Sequence, residues 1–75
     1  MIKLQNIEIN GNTITADATC VDTKKEAKLM YDGDEKKLHI LSGCKNFSGR
    51  SHAQFALAEM LEKKDSRKER TIMWY

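Results

Sequence analysis

Ten residues, Gly43 to His52, read GCKNFSGRSH and gather one of the chain's two cysteines, two of its four glycines, two cations and a histidine. One chemistry such a set can perform is anion binding. Amides at the start of a helix, flanked by Lys45, Arg50 and His52, would accept a phosphate or a partner's carboxylate. A second is nucleophilic catalysis, with a Cys44 thiolate favoured by nearby cations and His52 as its base. No third group stands ready to orient that pair, so catalytic residues are not expected and the chain reads as a non-enzyme. A third reading is purely structural: Gly43 ends a strand, Gly49 turns the backbone and Ser51 caps a helix. This last reading is preferred because it gives every unusual residue a local task. The order G-x-x-x-x-G-K-[ST] of a nucleotide loop is absent, and mononucleotide hydrolysis has no support.

Metal chemistry finds less to work with. Cys20 and Cys44 form no C-x-x-C pair and have no zinc-finger spacing to His39 or His52. The acidic run Asp32-Gly33-Asp34-Glu35 lacks both the D-x-D-x-D-G order and the twelfth-position glutamate of a calcium loop, and it reads as a solvated turn. His39 alternates with Leu38 and Ile40 and reads as a surface or sheet-edge histidine. No metal or cofactor is expected, and Cys20 is taken as a small buried hydrophobe with a reduced thiol.

The elements that would position these residues are legible from hydrophobic period. Asn10-Gly11 between two apolar runs predicts a two-residue hairpin turn. That pairing sets Ile9 opposite Asn12 and Ile7 opposite Ile14, but further out it brings apolar and polar residues to one side. A β-bulge at Gln5-Asn6 repairs the pattern, setting Leu4 against Ala16 and Ile2 against Ala18. The second strand, about Asn12 to Val21, alternates cleanly, with Ile14, Ala16, Ala18 and Cys20 inward. Ala27, Leu29 and Tyr31 mark a third strand. A four-residue loop, Asp32 to Glu35, would then pair Leu29 with Leu38 and Ala27 with Ile40 in a fourth.

Ser51-His52-Ala53-Gln54 fits a capping box, which predicts a helix beginning just after Ser51. Ala53, Ala56, Leu57, Met60 and Leu61 form the stripe that packs a helix on a sheet. Phe55 breaks the pattern: it falls on the opposite side of the wheel, with Ala58 and Glu62. The closing residues 71–75, Thr-Ile-Met-Trp-Tyr, either add a short fifth strand or fold back over Phe55. The expected fold is therefore α+β, a single small domain over residues 1–75: a four-stranded antiparallel meander packed against one C-terminal amphipathic helix, with a fifth strand open at the end. The stretch SGRSHAQFALAEML, about a fifth of the chain, resembles the last loop and helix of double-stranded RNA-binding domains, where a three-stranded sheet precedes an alanine-rich helix. The lysine cluster of those domains is represented here by Arg50 and His52 alone, and no residue role is carried over.

At 75 residues the core is small, and a deep catalytic cavity is not expected. No segment approaches the apolar length of a membrane helix, and Lys3, Gln5, Asn6 and Glu8 interrupt the first ten residues where a signal peptide would be apolar, so a cytoplasmic protein is expected. The net charge of +2 conceals a split. Met1 to Glu35 carries four lysines against seven acids, and Lys36 to Tyr75 carries nine cations against four acids.

Two functions compete. The leading one is docking on another macromolecule, a protein above all, through Phe55, Trp74 and Tyr75 with Arg50 and Glu62 beside them, since aromatics and arginine are the usual interface anchors. A regulatory or inhibitor protein of a phage or mobile element suits that size and composition, and a homodimer would bury the two free edges of a meander. The alternative is nucleic-acid or other anion binding by the basic second half, through Lys45, Arg50, His52, Lys63, Lys64, Arg67, Lys68 and Arg70. Interleaved acids at Glu59, Glu62, Asp65 and Glu69 weigh against it.

Overall fold

A computed structural model describes residues 1–21, 24–43 and 50–72. Five strands and one helix follow one another as β1 (Ile2–Asn10), β2 (Thr13–Cys20), β3 (Lys25–Asp32), β4 (Lys37–Gly43), α1 (Arg50–Lys63) and β5 (Arg70–Ile72). The first four strands form the expected antiparallel meander. β5 pairs antiparallel with β1, which gives the order β4-β3-β2-β1-β5. Of the two fates open to the chain end, residues up to Ile72 take the strand; Met73, Trp74 and Tyr75 lie outside the described residues.

The bulge expected in β1 at Gln5-Asn6 is present one residue further along, at Asn6-Ile7. Asn6 and Ile7 together face the single residue Ala16, between the pairs Gln5–Asp17 and Glu8–Thr15. Asn6 takes the left-handed conformation at φ 51°, which asparagine tolerates better than most side chains, and its amide donates to the Asp17 carboxylate at 2.8 Å. The hairpin turn, however, falls on Gly11-Asn12 and not on Asn10-Gly11. Ile9 pairs with Ile14, Leu4 with Ala18 and Ile2 with Cys20. The positive φ rests on Gly11 (64°) without Asn10 or Asn12 sharing it, as in a turn with glycine at the first central position. The slip is two residues, so every side chain keeps its face. The real register gains by matching Ile9 with Ile14 in place of a polar Asn12.

The β3–β4 hairpin slips in the same way. Tyr31 pairs with Leu38 and Leu29 with Ile40, leaving Gly33 to Lys36 as the loop. The Asp32 carboxylate holds it through Oδ1, which accepts the Asp34 amide at 2.9 Å and the Glu35 amide at 3.4 Å. A second bulge, not anticipated, inserts Leu41 between the Ile40–Leu29 and Ser42–Lys28 pairs. It leaves Leu41 52% exposed at the sheet edge, and an irregular edge resists strand addition.

One sheet face carries the core. Ile2, Leu4, Ile7, Ile14, Ala16, Ala18, Ala27, Leu29, Tyr31 and Leu38 are buried there with Ala53, Ala56, Leu57, Met60 and Leu61 from the helix. Alanines on both surfaces allow close approach of helix to sheet. The opposite sheet face has no element over it among the described residues; Thr13, Thr15, Asp17 and Thr19 of β2 stand on it half-buried, Lys3 and Glu8 exposed.

Candidate functional site

The helix begins at Arg50, two residues ahead of the capping-box expectation, so Ser51 sits in its first turn. Its end is a Schellman motif. The Lys64 amide donates to Leu61 O at 3.2 Å and the Asp65 amide to Met60 O at 2.9 Å. Lys64 occupies the left-handed position usually given to glycine, at φ 52°.

Two arginines pin α1 across the sheet. Arg50 reaches toward β4 and donates to Leu38 O at 3.4 Å. Arg70, on β5, extends the other way, donating to Ala56 O at 3.5 Å and pairing with Glu59 at 3.3 Å. Because Arg70 is the cross-strand partner of buried Leu4, the β1–β5 pairing turns it toward the helix side. Two residues of the basic set are thus engaged in holding the helix.

What the helix presents outward is Phe55, 75% exposed. Glu62 is exposed on the same side of the wheel, and Ala58 is partly buried against the core. Five inward residues complete the buried stripe without the phenyl ring. Of the remaining docking residues, Arg50 lies at the first turn of the same helix, and Trp74 and Tyr75 lie outside the described residues.

Three further cations of that set gather elsewhere. Lys64, Arg67 and Lys68 line a groove of about 650 Å³ between the segment after the helix and the β1–β2 hairpin, with Ile7, Ile9 and Leu61 among its apolar walls and Glu8 and Asp65 as its acids. The Ile7 amide donates to Lys68 O at 3.2 Å and ties that segment to the β1 bulge. Arg67 is turned onto Asp65, donating from Nε at 2.9 Å and from its backbone amide at 3.0 Å, with Nη2 at 2.7 Å. These bonds hold the Asp65 carboxyl below its ordinary range and raise the Arg67 guanidinium above its own.

The loop from Cys44 to Gly49 lies outside the described residues, so the anion and thiol readings of Lys45 and Cys44 do too. His52 is exposed on the first turn of α1, and Cys20 is buried beneath the helix side of the sheet, as a small hydrophobe should be. No helix among the described residues is long and apolar enough to cross a membrane.

Fold and surface together define a small α+β sheet-and-helix protein with one aromatic side chain standing off its helix. No protein-family model, curated protein or solved structure matches the chain.

Proposed function

We propose that this is a small non-enzymatic binding protein that docks on a protein partner through the outer face of α1. The observation that supports the reading is Phe55: a phenyl ring 75% exposed on a helix whose buried stripe is already complete. An exposed aromatic flanked by charge is the usual anchor of a protein interface, where burial of the ring supplies affinity and the charged rim supplies orientation. Glu62 on the same side favours a protein over a polyanion. A regulatory or inhibitor role in a phage or mobile element is compatible with this size and charge.

The test is affinity capture from host lysate with wild-type and Phe55→Ser protein, each with and without nuclease. A protein that survives nuclease and is lost with Phe55→Ser, while the variant melts within a degree or two of wild type, is the expected result. Undiminished capture by Phe55→Ser would sink the reading. A second reading, nucleic-acid binding, is favoured by one observation, the meeting of Lys64, Arg67 and Lys68 on a single groove. It requires affinity that falls steeply with salt.

A further inference from the structure

We propose that Asp32, Glu35 and His39 form a binding site for a divalent first-row transition ion of the Zn²⁺ class. The three residues come from one hairpin: Asp32 is the last residue of β3, Glu35 stands in the loop and His39 is the third residue of β4. Their donor atoms all lie within 4.8 Å of one another. Ligands about 2.1 Å from a shared ion stand roughly 3 to 3.5 Å apart in a tetrahedral or octahedral shell, a spacing that changes of side-chain rotamer can reach from this one.

The register explains the meeting. Asp32 pairs with Lys37 and Met30 with His39, so Asp32 and His39 are diagonal neighbours on the same, helix-free face of adjacent strands. In the register with Leu29 opposite Leu38, Asp32 falls within the loop and this placement is lost. Asp32 is also oriented in advance, because two backbone amides hold its Oδ1, the kind of support that tunes a metal-ligating carboxylate.

Donor chemistry selects the ion. One imidazole nitrogen with two carboxylates suits zinc, cobalt, nickel or manganese, whereas a calcium site is built from oxygen alone. Three protein ligands leave the remaining positions to water. Lys36 and Lys37 adjoin the site and partly offset its charge, with Asp34 on the opposite account. The bound ion would staple β3 to β4 across their loop and stiffen the sheet's outer edge. This site shares no residue with the docking face of α1, and the two readings stand or fall separately.

The experiment uses the full, untagged chain with Co²⁺ as a visible-absorption probe and Zn²⁺ in competition calorimetry. One equivalent of Co²⁺ is expected, displaced by Zn²⁺, with a rise in Tm on Zn²⁺ addition. His39→Ala and Glu35→Gln each weaken binding by at least about tenfold, while His52→Ala and Asp34→Asn leave it unchanged. The altered side chains are solvent-accessible, and far-UV circular dichroism confirms the fold of each variant. Absence of uptake at millimolar Co²⁺, uptake unchanged in His39→Ala and Glu35→Gln, or loss in His52→Ala would each overturn the assignment.

Discussion

The two faces of α1 are built from the same fourteen residues and obey different rules. Inward, Ala53, Ala56, Leu57, Met60 and Leu61 have no freedom: each is at most 9% exposed, and together with the sheet they make most of the hydrophobic contact this short chain can form. Outward, Phe55 is 75% exposed and has no packing task among the described residues. A large apolar side chain left in water gains little for stability, and a partner that covers it is the proposal made above. The inner face therefore determines whether the protein folds, and the outer face is free to serve a partner.

Mutations on the two faces should separate just as sharply. Leu57, fully buried, is the position where the inner face is most exacting: Leu57→Ala should cost about 3 kcal/mol. For a domain this small, that is a fall in Tm of order 15 °C in a melting experiment. A loss below 1 kcal/mol would mean that the helix is only loosely held and that the contrast between its faces is weak. Phe55→Ser, by comparison, should fall within about 0.5 kcal/mol of wild type.

Gly43 sharpens the comparison from the chain that leads to the helix. Its φ is 91°, and an added Cβ would stand 2.3 Å from Glu26 O and 2.7 Å from Ala27 Cα. Gly43→Ala should therefore destabilise by about 2 kcal/mol, read from a urea denaturation midpoint, by forcing β4 away from β3. A neutral result would show that the β4 end relaxes without disturbing the helix.

Lys64 gives the smallest effect and the opposite sign. Lysine at the left-handed position of the Schellman motif is strained, so Lys64→Gly should stabilise by about 0.5 kcal/mol despite the added freedom of the unfolded chain. A loss of stability would mean that the lysine side chain does more at the helix end than its backbone reveals.

Much of this architecture was legible beforehand because burial imposes period. The meander, the bulge beside Asn6, the five-residue helix stripe and the outward Phe55 all follow from which residues must avoid water. Hairpin registers were not legible. A two-residue slip preserves both faces, and only the competition between particular pairs, Ile9 with Ile14 and Tyr31 with Leu38, decides between alternatives. The Leu41 bulge had no signal for the same reason: an exposed edge imposes no pattern.

Legibility of the site was uneven. Phe55 could be found because it violates the helix stripe. Arg50 and Arg70 could not be recognised as pins of the helix, since their acceptors, Leu38 O and Ala56 O, are main-chain atoms twelve and fourteen residues away. The sequence alone read Asp32 and Glu35 as part of a solvated turn, for want of a calcium-loop pattern, and His39 as a surface or sheet-edge histidine, and the expected register, with Asp32 in the loop, did not bring the three together.

The sequence by itself determined the order of elements and the side of each that meets water, because hydrophobic burial acts on every residue through a local period of two or 3.6. Tertiary structure alone decided which strand neighbours which residue, where β5 attaches and which polar side chains meet. Those outcomes depend on contacts between distant parts of the chain, and no local pattern encodes them.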